Sequence, residues 1–113
     1  MTDREKNTLP ECEKQAIATY FDGDRVLFLA FRESCIQQFD VDLTWGNAAI
    51  EDHDVPALRR VSHSLKGVLR TLGYKELSDM AKQIENAVHQ NEWDTAVTQW
   101  NQFSKSLRMA FCL

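Results

Sequence analysis

Apolar residues recur at three- and four-residue spacing along almost the whole chain, and no stretch alternates as a half-buried strand would. The pattern predicts helices throughout. Thr8-Leu9-Pro10-Glu11 reads as a helix start, with Thr8 as the cap, Pro10 in the first turn and Glu11 three residues after the cap. This short helix runs to about Tyr20, and Asp22-Gly23-Asp24 then breaks it. Asp24 can cap a second helix carrying Leu27, Phe31, Cys35, Phe39 and Leu43 as an i, i+4 ridge. Trp45-Gly46 is either the last turn of that helix or a loop. A third helix is expected from Asp54, with Pro56 in its first turn, to a C-terminal glycine at Gly73. A fourth carries Leu77, Met80, Ala81, Ile84 and Val88 and stops at His89-Gln90-Asn91. The fifth carries Trp93, Ala96, Val97, Trp100, Phe103, Leu107 and Phe111, whose helical spacing marks a core face rather than a base-stacking platform. Four long amphipathic helices joined by short loops imply an all-α fold, an antiparallel up-and-down four-helix bundle. The first helix is too short to be a full member and is expected as a lid on one end. Residues 1–7 read as a polar tail, and residues 8–113 as a single domain.

Composition narrows the class. A chain of 113 residues is one ordinary domain, long enough to fold without disulfides or a structural metal. Its formal charge of −4 argues against general nucleic-acid binding, which demands a basic surface. The longest apolar run, Val26-Leu27-Phe28-Leu29-Ala30-Phe31, is far short of a membrane span. The N-terminus is polar through Thr8, with no signal-peptide pattern. Cys12, Cys35 and Cys112 are odd in number and lack zinc-like spacing, so a reducing, cytoplasmic setting is expected. No metal-ligand spacing joins Asp52, His53, Asp54 and His63, and His53 and His89 fall near loops and read as incidental.

The third helix is unlike the rest. On a helical wheel, Leu58, Val61, Ser62, Leu65, Val68, Leu69 and Leu72 fall within an arc of roughly 120°, which must face the core. His63 lies roughly 170° from the centre of that arc and therefore points to solvent. Around it stand Arg59 and Arg60 one turn before, Lys66 and Gly67 one turn after, and Arg70 two turns after. No Asp or Glu occurs between Val55 and Leu72, so this helix holds four cations while the rest of the chain has 17 acids against 9 bases. A cationic strip on an acidic protein is a docking surface for something anionic. Gly67 costs the helix about 0.5–1 kcal/mol relative to alanine, and on an exposed face bundle packing does not explain it. It leaves a gap beside the imidazole through which a reactive group could approach.

His63-Ser64-Leu65-Lys66-Gly67 resembles the His-x-Leu-Lys-Gly signature of histidine-containing phosphotransfer (HPt) domains. Leu72-Gly73 falls where that family places a Leu-Gly, Phe21-Asp22-Gly23-Asp24 resembles the opening of its second helix, and Leu77, Ala81 and Ile84-Glu85 resemble its following helix. The resemblance spans roughly residues 20 to 90. Val68 and Leu69 stand where the family is commonly small, Tyr74 stands where it often has alanine, and Trp45 to His53 fits its pattern poorly.

The resemblance implies a phosphoryl carrier in a multistep phosphorelay. His63 would take the group from a receiver-domain aspartyl phosphate and pass it to another receiver, with Lys66 and Gly67 beside it in the site. Arg59, Arg60 and Arg70 are assigned to partner docking. Nearby cations would stabilise the spread charge of an in-line transfer. Mg²⁺ would belong to the partner receiver, and no intrinsic cofactor or metal is expected. There is no glycine-rich nucleotide loop, so the chain is read as a carrier rather than an enzyme. The expected partners are response-regulator receivers, hybrid sensor kinases or both, with the chain itself a monomer. The alternative is a helical-bundle adaptor that binds a receiver without phosphate chemistry.

Overall fold

A computed structural model describes residues 8–113; the tail expected at residues 1–7 lies outside the described residues. Five helices follow one another: α1 Glu11–Tyr20, α2 Arg25–Glu51, α3 Val55–Leu72, α4 Lys75–His89 and α5 Trp93–Phe111. The described residues contain no strand. None of their helices is long and apolar enough to cross a membrane.

The helix boundaries follow from local chemistry. Asp24 caps α2 by accepting a hydrogen bond from the Leu27 N–H at 3.0 Å, and Asp54 caps α3 from the Ala57 N–H at 3.1 Å. Pro56 occupies the first turn of α3, where no helical N–H bond is lost. Gly73 ends α3 with φ +99°. A β-carbon there would also stand 2.2 Å from the carbonyl oxygen of Cys12, so both the backbone twist and the close approach of α1 require glycine.

Three sequence expectations are corrected. The first helix starts at Glu11 with Pro10, not Thr8, as its N-cap, and the Pro10 carbonyl accepts from the N–H groups of Glu13 and Lys14. The proline pushes the preceding Leu9 out of helical geometry, so a helix cannot begin at Thr8. The buried ridge of α2 begins at Phe28, whereas Leu27 is exposed and Phe31 only partly buried. Two turns on, the ridge continues through Cys35, Phe39, Asp42, Gly46 and Ala49 in alternating steps of four and three residues. Finally, Trp45-Gly46 is neither a loop nor a last turn, because α2 continues to Glu51. Gly46 faces the ring of Trp100 on α5, where a β-carbon would lie 2.0 Å from Cζ2. Close packing against an indole outweighs the poor helix propensity of glycine.

The principal contacts join α2 to α3, α3 to α4, α4 to α5 and α5 back to α2, while α1 rests on α3. Phe28, Phe39, Leu58, Leu69, Trp100 and Phe103 are fully enclosed at the centre. The predicted core arc of α3 is buried, with Val68 partly so. Fully buried Ser62 satisfies its hydroxyl by donating to the Leu58 carbonyl at 2.8 Å.

Each end of the assembly carries a side-chain fastening. At one end Glu13 of α1 is completely buried. Its Oε1 accepts from Arg32 Nε of α2 at 2.9 Å, and its Oε2 accepts from the hydroxyl of Tyr74 after α3. Phe111 packs beneath both partners, 4.8 Å from the Tyr74 ring and 5.6 Å from the Arg32 guanidinium. Burial, together with the hydrogen bond to Glu13, pushes the Tyr74 phenol well above its usual range. At the other end His53 stacks on Trp93, centroids 4.1 Å apart and planes 9° from parallel. His53 therefore links the α2–α3 and α4–α5 turns and is not incidental.

Candidate functional site

His63 sits midway along α3 with 67% of its side chain exposed, on the face opposite the buried arc. Its Nδ1 lies 2.7 Å from Oε2 of Glu85 on α4. The other oxygen of Glu85 accepts from Lys66 Nζ, also at 2.7 Å. One carboxylate thus bridges the histidine and the lysine of the His-x-Leu-Lys-Gly segment. Ser78 of α4 donates to the Lys66 carbonyl at 2.7 Å, which fixes α4 against α3 beside this bridge.

Partial burial raises the carboxyl of Glu85, but the hydrogen bonds from Lys66 and His63 and their charges outweigh it and hold the group below its ordinary range. An ionised carboxylate only accepts, so in a neutral imidazole this contact favours the tautomer with the proton on Nδ1 and the lone pair on Nε2. A carboxylate that orients an imidazole and selects its tautomer leaves a defined nucleophilic nitrogen at the surface.

The bridge also makes stability pH-dependent. The carboxyl of Glu85 is held below its ordinary value of 4.5. Its stabilisation is therefore present above that pH and lost as pH falls through the depressed folded value. Glu85→Gln is expected to melt a few degrees lower than wild type at neutral pH, reflecting roughly 1 kcal/mol. Thermal melts of both proteins from pH 7 downward should draw together as pH falls below 4.5 and through the depressed folded value. A gap that persists unchanged in acid would mean that Glu85 acts by packing alone.

The remaining residues singled out from the sequence divide into two groups. Arg59 and Arg60 line, with His63 and with Pro56 and Glu85, one open cavity of about 440 Å³. Gly67 is exposed, and a β-carbon on it would meet nothing within 4 Å. Arg70 is exposed in the last turn of α3 and does not line the cavity. Among the described residues Arg59, Arg60 and Arg70 form no ion pair, whereas Lys66 is taken up by Glu85. Glu85 is the site residue that sequence reasoning missed. Its only signal was its place in the segment Ile84-Glu85; its pairing with His63, 22 positions earlier, exists only once α4 lies against α3.

A second groove opens between α2 and α3, lined by Gln38, Asp42, Trp45, Arg60 and Ser64 among others. Burial raises the carboxyl of Asp42, and the hydrogen bond from Gln38 opposes the shift. The neighbouring Cys35 thiol is pushed up to about 11 by burial and then by the charge of Asp42, so it is an unreactive core residue.

The family model of the Hpt domain matches residues 25–109, from the first turn of α2 to the last turn of α5. No curated protein and no solved structure matches the chain. The matched segment contains the outward histidine, its lysine and the glutamate that bridges them, and the chain belongs to the Hpt domain family, whose members carry phosphoryl groups in two-component phosphorelays.

Proposed function

We propose that this chain is a phosphorelay carrier whose acceptor is Nε2 of His63, loaded by a receiver-domain aspartyl phosphate and discharged to another receiver. The observation that carries the reading is the Glu85 bridge to Nδ1 of His63 and to Lys66, which supports a tautomer with Nε2 free on an exposed face. The Nε2 lone pair attacks phosphorus as the phosphorus–oxygen bond to the aspartyl group breaks. The electron pair leaves with the aspartate carboxylate, and the Nδ1 proton stays in its bond to Glu85. Lys66 holds Glu85 in place from the other side, and Gly67 keeps the approach to the ring clear. Arg59, Arg60 and Arg70 supply a cationic face for an acidic receiver pocket, to which Mg²⁺ would belong. We read α2–α5 as an antiparallel up-and-down bundle capped by α1, forming one domain over residues 8–113. The working form is a cytoplasmic monomer. The test is incubation with a phosphorylated receiver domain. Label that appears on this chain and is acid-labile but alkali-stable supports the reading, whereas a receiver that binds and transfers nothing makes the chain an adaptor.

Gly67 separates stability from transfer at one position. A side chain there would lean back toward the helix N-terminus, over the His63 ring. Gly67→Gln is expected to fold at least as stably as wild type, since glutamine is a good helix former. Its transfer rate is expected to fall at least about tenfold, or about 1.4 kcal/mol in the barrier. A melting curve and a transfer rate on the same sample check both, and wild-type transfer by Gly67→Gln would remove the clearance role.

A further inference from the structure

The cations of α3 are not equivalent, and the geometry around Glu85 divides them. Lys66 Nζ lies 2.7 Å from Glu85 and is neutralised by it. A phosphoryl group arriving at Nε2 brings negative charge that this pair, summing to zero, does not balance. The unpaired cations that share a cavity with the imidazole are Arg59 and Arg60. Helical side chains tilt toward the helix N-terminus, so the His63 ring leans over the turn that carries these two arginines. Arg70 stands seven residues on, roughly 10 Å along the axis in the other direction. The cavity of about 440 Å³ is lined by Pro56, Arg59, Arg60, His63 and Glu85, with room for a tetrahedral oxyanion.

We infer that Arg59 and Arg60 form the phosphoryl cradle of this site, contacting the group directly during transfer and while it is carried, and that Lys66 is a positioning residue acting through Glu85. This rests on the functional reading above and deepens it. A guanidinium presents a planar fork matched to phosphoryl oxygens, and two of them on one open wall suit a dianion better than a lysine already held by a carboxylate. The arginines thus belong to the chemistry and not only to partner docking.

A small donor removes docking from the measurement. Phosphoramidate can phosphorylate the intact protein: the Nε2–phosphorus bond forms, the donor's phosphorus–nitrogen bond breaks, and the already protonated donor nitrogen leaves as ammonia. We expect the Arg59→Ala/Arg60→Ala double variant to take up label at least about tenfold more slowly than wild type, since it lacks the charge that meets the developing oxyanion. Arg59→Lys/Arg60→Lys should recover most of the rate, and Lys66→Ala should lose only about two- to threefold. Added salt should slow wild type but not the double alanine variant. Lys105→Ala on α5 is the surface control, and melting curves verify that each variant is folded. Phosphorylated protein freed of donor should also lose its label at a different rate in the double alanine variant. Wild-type uptake and release by the double alanine variant, or a larger loss in Lys66→Ala, overturns the cradle while leaving the carrier reading intact. A wild-type protein that takes label neither from phosphoramidate nor from a phosphorylated receiver overturns both.

Discussion

Replacing His63 by glutamine is expected to abolish phosphoryl uptake altogether while the protein melts at nearly the wild-type temperature. The side chain is 67% exposed, and its polar contact among the described residues is to Glu85. A glutamine amide can still donate to that carboxylate. Exposed substitutions of this kind change stability by about 0.5 kcal/mol or less, so the midpoint should move by no more than about 4 °C. The loss of label is by contrast complete, because a glutamine amide nitrogen is not a nucleophile and cannot stand in for the imidazole. Label transfer from a phosphorylated receiver and a thermal melt, run on one preparation, make the measurement. Full labelling of His63→Gln, or label mapped to His53 or His89, would move the acceptor elsewhere. His53 is a poor substitute, since its ring is stacked on Trp93.

A large stability effect is expected at a different glycine. Gly46→Ala places a methyl group 2.0 Å from Cζ2 of Trp100, a side chain that is fully buried. The indole cannot swing aside cheaply, because its Nε1 donates to Asn47 Oδ1 at 2.9 Å and its ring packs on Phe103. Overpacking a rigid core costs about 1–3 kcal/mol, which lowers the melting midpoint by roughly 4 to 20 °C. The same substitution at Gly67 meets nothing within 4 Å and should raise the midpoint by a few degrees through helix propensity alone. Two glycine-to-alanine changes in neighbouring helices therefore carry opposite signs. Gly46→Ala melting at or above wild type would mean that Trp100 is not seated against α2.

Much of this was legible in the sequence, and the losses share a cause. The α3 arc, the outward His63, the Asp24 and Asp54 caps and the Gly73 terminus are local features, set by a helical period or by one residue's backbone preference. Leu27 failed because one apolar residue on α2 can be exchanged for its neighbour Phe28 without disturbing the pattern, and only the packing around Phe21 and Phe28 decides between them. Gly46 failed because propensity sees a break where a distant indole demands one. Glu85 was hidden for the same reason at the site itself. A glutamate on α4 acquires meaning only when the histidine and lysine of α3 are brought against it. Tyr74, which departed from the family pattern, is accounted for by its hydroxyl bond to Glu13.

That last bond draws a boundary. The segment shared with the family runs over residues 25–109, yet Glu13 lies before it and Phe111 after it. A fragment trimmed to the shared segment would keep Arg32 and Tyr74 but strip away the carboxylate that both of them bind and the ring on which both rest. It would also uncover the backbone at Gly73, against which Cys12 is pressed. The packed structure therefore extends beyond the segment shared with the family, and α1 is built into it through Glu13 and Cys12.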